Sequence, residues 1–101
     1  MPESLTEHLV SFATELEGRA ASGPVLASAK KLLLDTMACA LAGIDAPGID
    51  ALLEHARERG GTPEATVLVF GDRLPMPAAA LVNGAMIHAW DYDDVHTPGA
   101  P

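Results

Sequence analysis

The residues best suited to chemistry stand together near the C-terminus. His88, Asp91, Asp93, Asp94 and His96 put three carboxylates and two imidazoles into nine residues. Elsewhere the ionisable residues are scattered like solvent-facing charges. Crowded carboxylates raise one another's pKa, and a carboxylate beside an imidazolium has its pKa lowered, so such a cluster suits proton transfer near neutral pH. Asp and His also bind Mn, Fe or Zn, but this spacing matches no zinc signature. A third reading is an acidic helix end with incidental histidines. On spacing alone that reading comes first, acid–base chemistry second and metal third.

The element that must position the cluster is the apolar, alanine-rich segment leading into it, which predicts a helix from Pro77 to about Tyr92. On such a helix Gly84, His88 and Asp91 share one stripe, and Asn83, Ile87 and Asp91 the next. Gly84, with no side chain, leaves room for a ligand or another backbone. Asp93, Asp94 and His96 follow where the helix should end, well placed to line a pocket. Three carboxylates repel an anionic substrate, so an enzyme acting on a polycarboxylate needs Lys or Arg close by. Arg73 is the nearest basic residue in sequence and nothing basic follows it. Either the substrate is not anionic or the cations come from elsewhere.

Upstream, Ser4 and Glu7 read as a capping box, and Leu5, Leu9, Phe12 and Leu16 as the apolar face of the helix it opens, with Gly18 as its stop. Pro24 fits the first turn of a second helix, Val25 to Leu41, which is apolar nearly all round past Leu32 and so reads as central and buried on several sides. Asp35 inside it then needs a hydrogen-bonding partner or water, and reads as a buried structural carboxylate. Gly43 fits the position that ends this helix. A turn at Ala46-Pro47-Gly48 leads to a short amphipathic helix from Ile49, stopped by Gly60-Gly61. Ala65 to Phe70 is β-branched and is followed by Gly71-Asp72, with Arg73 and Leu74 returning, so a short β-hairpin is expected near residues 65–75. His8 and His55 read as solvated.

The 101 residues suffice for one small domain, burying roughly 60–70% of its unfolded surface. Hydrophobic residues are 49% but aromatics only 4%. That fraction is high for a lone domain and hints at apolar surface meant for a partner or for further chain. Fourteen acidic against six basic residues, net charge −8, argue against nucleic acid and anionic membrane surfaces. The single Cys39 cannot form an internal disulfide, which favours a reducing, cytoplasmic setting, and it reads as a core residue rather than a nucleophile. No signal peptide is seen, and the run Leu32 to Gly43 is too short to cross a bilayer.

Three stretches carry a family resemblance: Ala29-Lys-Lys-Leu-Leu-Leu-Asp-Thr36 running into Ala40-Leu-Ala-Gly43, then Ala78-Ala-Ala-Leu-Val-Asn-Gly-Ala-Met-Ile-His88, then Asp91-Tyr-Asp-Asp94. In this order and spacing they make the chain resemble the N-terminal part of the MmgE/PrpD family, and they move the catalytic reading to first place. The resemblance implies a mainly α fold, with residues 1–101 an incomplete N-terminal part of the helical domain and a smaller α/β lid absent. It implies a homodimeric, cofactor-independent lyase, needing no metal, that removes water or CO2 from di- or tricarboxylic acids or isomerises them. Asp91 inherits the place of the first Asp of the family's D-[YF]-D-D stretch and lines the site. Val95 stands where members often carry Thr, which leaves the exact reaction open. His96 matches either a further active-site His, with a shortened loop before Pro98-Gly-Ala100, or an earlier and less important one; the first alignment is preferred. The expectation is that Asp91 and His96 are catalytic and that His88 and Asp94 orient them or bind substrate. The chain is expected to be a fragment, inactive alone. The alternative is a non-catalytic helical interaction or dimerisation module.

Overall fold

The computed structural model describes residues 4–17 and 21–95. The expected helix stop at Gly18, and His96 with the segment after it, lie outside the described residues. The chain divides into two compact units, Met1–Lys30 and Lys31–Pro101. Among the described residues it is mainly helical, with four helices and one two-stranded hairpin.

The first unit holds α1 (Leu5–Glu17) and the start of α2 (Gly23–Ala42). The capping box forms as expected: Ser4 N–H donates to Glu7 Oε2 at 2.7 Å and Glu7 N–H to Ser4 Oγ at 3.2 Å. These bonds hold the Glu7 carboxyl below its ordinary range and satisfy donors that a helix start otherwise leaves open. Leu5, Leu9, Phe12 and Leu16 are all exposed.

The second unit carries the core. It contains the rest of α2, then α3 (Ile49–Arg59), β1 (Ala65–Thr66), β2 (Arg73–Leu74) and α4 (Met76–His88). Ile49, Leu53 and Ala56, at i, i+4 and i+7 of α3, form its buried stripe. They join Val67 and Leu74 of the hairpin region and Ala79, Val82 and Met86 of α4 in one cluster. Leu53, Met86, Val67 and Val82 are its largest fully buried side chains.

The hairpin is antiparallel, pairing Ala65 with Leu74 and Thr66 with Arg73. It is shorter than the β-branched run suggests. The chain leaves the ladder at Val67, whose N–H donates to the Asp72 carbonyl at 2.8 Å, and Gly71 N–H returns to the Val67 carbonyl at 2.9 Å. Val69, inside this turn, has φ 66, a left-handed conformation that opposes the extended backbone its type favours. The turn is tied down by side chains. Arg57 on α3 grips Asp72 with two bonds of 2.7 and 2.8 Å. Asn83 on α4 accepts from Leu68 N–H at 2.8 Å and donates to the Thr66 carbonyl at 3.0 Å.

Two expectations for α2 are corrected. Leu32, Leu33, Leu34, Met37 and Leu41 are exposed, and only Cys39 and Ala40 of this helix are buried. Asp35 is exposed too, so it is not a buried structural carboxylate. The physical reason is a shortage of partners: α3, α4 and the hairpin form their core with each other and offer α2 only its C-terminal end. There Gly43 is buried, and a methyl group at its Cα would overlap the Met86 carbonyl. Gly43 is therefore required for a close approach to α4, not for a left-handed helix stop, since its φ is not positive.

Candidate active site

The last helix is apolar on both sides for two different reasons. Ala79, Val82 and Met86 face the core. Ala80, Leu81, Gly84, Ala85 and His88 lie round the other side and, with Ala89 and Asp91, line an open groove of about 660 Å³. That volume lies in the range of small-molecule sites. A methyl at Gly84 would meet nothing within 4 Å, so its missing side chain widens the groove and does not accommodate another backbone.

Helix α4 starts after Pro75, with Pro77 in its first turn, and Glu64 Oε2 accepts from the otherwise open Met76 N–H at 3.1 Å. It ends at His88, one turn earlier than the predicted limit of Tyr92. Two contacts set the end. Trp90 Nε1–H donates to the Ala42 carbonyl at the C-terminus of α2, at 3.0 Å. His88 Nδ1 lies 2.9 and 3.1 Å from the two oxygens of Asp93. Between these ties the chain turns sharply: Asp91 has φ 57, and its N–H donates to the His88 carbonyl at 3.0 Å.

Asp91 is therefore not on the helix, and the expected Gly84–His88–Asp91 stripe is corrected to two helical residues plus one delivered by the turn. All three still line the groove. The expected Asn83–Ile87–Asp91 stripe does not form, because Asn83 is committed to the hairpin. Asp91 is 86% exposed and stands 3.9 Å from His88 Nδ1. Asp94 is exposed, with no hydrogen bond among the described residues. Asp93 belongs to the cluster, but sequence reading assigned it no role; five positions beyond His88 and across a turn, its contact with the imidazole is not reached by any helical spacing rule.

The electrostatics follow the geometry. The hydrogen bond to Asp93, helped by the charges of Asp93 and Asp91, raises the His88 pKa above its ordinary 6.5. The same bond lowers the Asp93 carboxyl below its ordinary 3.8. Cys39 is pushed upward by burial and by the negative charges of Asp35, Asp93 and Asp94. That makes it a poor nucleophile, in line with its reading as a core residue. His88, Asp91 and Asp93 have ligand atoms within 4.8 Å of one another, close enough to share an ion. They are three exposed or half-exposed groups without a zinc-type spacing, and exposed acidic groups commonly approach in this way. We assign no metal to them. Among the described residues no Lys or Arg lines the groove. Arg57 is taken by Asp72, and Arg73 by Thr66 Oγ1 and the carbonyls of Pro63 and Glu64. Among the described residues no helix is long and apolar enough to cross a membrane.

Comparison with known proteins gives this geometry a setting. The chain is 32% identical over 94 residues to a cis-aconitate decarboxylase-like protein, oryM, of Aspergillus oryzae, covering 93% of this chain and 20% of that protein. It is 30% identical to the cis-aconitate decarboxylase of Aspergillus terreus, over 92% of this chain and 19% of the relative. It is 31% identical to the human cis-aconitate decarboxylase, over 97% of this chain and 21% of the relative. The chain thus spans about a fifth of the length of the curated relatives it matches. No solved structure gives a significant match. The MmgE/PrpD N-terminal domain matches residues 7–101, and the chain belongs to that family.

Proposed function

We propose that this chain forms the acidic, helical wall of a lyase active site that removes CO2 or water from a di- or tricarboxylic acid, or isomerises one. The observation that carries the reading is Asp91: a solvated carboxylate in a left-handed turn, at the lip of a groove whose floor is cleared by Gly84. Backbone strain of this kind at a polar residue is characteristic of sites where geometry serves chemistry. The cis-aconitate decarboxylase relatives supply the substrate class. Asp91 is the proton-transferring or substrate-orienting group, with His96 as its partner. His88 stands against the same groove, and Asp94 is kept as a substrate-side orienter. The reaction needs no metal or organic cofactor in this reading, and the protein works in the cytoplasm.

A bound polycarboxylate brings two or three negative charges, and desolvating them without cations costs several kcal/mol. The groove offers none, so the 101-residue chain alone is inactive, and a longer polypeptide that carries it supplies the Lys or Arg residues. The test assays both against cis-aconitate and citrate-like acids over a pH series. The longer polypeptide turns over, the isolated chain does not, and Asp91→Asn lowers turnover by ~10²–10⁴. Turnover by the isolated chain, or a near-wild-type Asp91→Asn enzyme, overturns the proposal.

A second reading is favoured by the exposed leucines of α1 and α2, which suit an interaction or dimerisation module. On the enzyme reading the same surface is covered by the rest of the subunit and by a second copy in a homodimer. A catalytically silent longer polypeptide that still dimerises selects the module.

A further inference from the structure

We propose that His88 is a second proton-transferring group of this site, acting as a general acid through Nε2, and that Asp93 is the positioning residue that makes it one. The inference rests on the lyase reading above and deepens it. Nδ1 of His88 faces both oxygens of Asp93, at 2.9 and 3.1 Å. A carboxylate can only accept, so the proton on Nδ1 is held there. Nε2 makes no hydrogen bond among the described residues, and His88 lines the groove. The ring is thus held by one nitrogen and leaves the other unbonded on a residue that lines the groove, an arrangement in which a third group orients the base. Asp93 is itself half-buried, with 31% of its side chain exposed against 71% for His88, so the orienting partner is the more fixed of the two. The raised His88 pKa agrees with this geometry.

The step balances without a co-reactant. As CO2 leaves, the electron pair of the broken C–C bond stays on the substrate and takes the proton from Nε2. The imidazole left behind keeps its Nδ1 proton on Asp93, and solvent returns a proton to Nε2. In a dehydration the same proton goes to the departing hydroxyl, which leaves as water, while Asp91 takes the proton from the neighbouring carbon and that C–H electron pair becomes the new double bond. Among the described residues the titratable groups acting on His88 are Asp93 and Asp91 in the turn; from α2, Cys39 interacts electrostatically with Asp93 and also with Asp35 and Asp94.

A purely structural role would have the pair pin the end of α4, and the experiment separates the two. Long-range nitrogen–proton NMR of the ¹⁵N-labelled 101-residue chain reads each imidazole, with His8 and His55 as internal controls and His88→Gln for assignment. Neutral His88 carries its proton on Nδ1 and titrates above the ordinary imidazole value of 6.5; Asp93→Asn removes both features, Asp93→Glu restores them and Asp94→Asn leaves them unchanged. In the longer polypeptide, His88→Gln lowers kcat by ~10²-fold. There Asp93→Asn moves the basic limb of the pH–rate profile to lower pH with KM changed less than about threefold, and Asp93→Glu recovers most of the rate. A neutral His88 protonated on Nε2, or an Asp93→Asn profile that does not move, overturns the assignment even if Asp91→Asn is inactive. If no polypeptide carrying the chain turns over any carboxylic acid, the lyase reading fails and the acid role with it. The NMR result then records a structural pair only.

Discussion

Replacing Gly43 by Ala tests how the site is held. Gly43 follows the last residue of α2, where that helix end meets α4. A methyl built on it lies 2.8 Å from the carbonyl carbon of Met86 and 3.1 Å from its Cα, and overlaps the carbonyl oxygen. The obstacle is helix backbone two residues before His88, so it cannot swing aside as a side chain would. Overpacking costs ~1–3 kcal/mol, and a rigid obstacle places the change at the upper end. Because Gly43 is not in a left-handed conformation, alanine recovers ~0.4–1 kcal/mol through the unfolded chain. The net loss is about 2 kcal/mol. At 4–8 °C per kcal/mol for a domain of this size, the melting temperature falls by roughly 10 °C. Thermal and urea unfolding measure it. The single tryptophan, Trp90, bonded to the Ala42 carbonyl next door, reports locally by a red-shifted emission in the variant. Gly84→Ala is the control: its methyl meets open space in mid-helix, so it is neutral or stabilising by up to ~1 kcal/mol while narrowing the groove. A Gly43→Ala chain that melts at or above the wild type, or a Gly84→Ala chain that loses as much, refutes the close-approach argument.

Three further outcomes are expected. Asn83→Ala removes both ties between α4 and the hairpin turn and costs ~1–3 kcal/mol in urea unfolding; a smaller loss would mean that water replaces both bonds. Asp91→Gly relieves the left-handed turn and leaves stability equal or higher, whereas Asp91→Val lowers it, as melting curves of the two will show. The His88–Asp93 pair has a pH window. The raised His88 pKa gives stability that is complete below 6.5 and lost as pH rises through the raised value, and the lowered Asp93 pKa gives stability that is complete above 3.8 and lost as pH falls through the lowered value. The stability difference between wild type and Asp93→Asn therefore peaks between those two pH values and shrinks on both sides; a difference independent of pH contradicts the ion pair.

What could be read from the sequence was what is decided locally. Ser4 and Glu7 are three residues apart and satisfy each other's backbone donors, so their box forms where the pattern says it should. The stripe of α3 and its Gly60 stop follow from spacing and backbone freedom alone. The hairpin was legible from its turn residues, but its length was not. Val67 to Phe70 look like strand, and the turn there is imposed by Asn83 and Arg57, each 15 residues from its partner in the turn. The end of α4 was missed for the same reason. Ala89 is a strong helix former and Trp90 no helix breaker, and the tie at this end is to a carbonyl 48 residues away in sequence. In α2 the hydrophobic pattern indicated burial that the structure does not show, because burial needs a partner surface, and α3, α4 and the hairpin spend theirs on each other. In the candidate site, sequence brought His88 and Asp91 to the same groove and named Asp93 in the cluster, while the contact by which Asp93 holds the imidazole emerged only from the turn.

The acidic character of this wall has a chemical consequence on the proposed reading. A Lys or Arg beside Asp91 or Asp93 would pair with it, lower its basicity and compete with His88 for the carboxylate. Among the described residues no Lys or Arg bonds to Asp91 or Asp93, and Arg57 and Arg73 are each occupied at the hairpin. Substrate carboxylates need the opposite surroundings, with cations placed to bind them. The two requirements conflict if both sets of groups come from one short segment. They are compatible if acid–base groups are presented on one wall and anion-binding groups on another, with the substrate between them. The net charge of −8 on this segment and its cation-free groove fit the first wall. The second wall then belongs to other chain, and bringing the two together around a substrate is the step that would convert a solvated cluster into a working site.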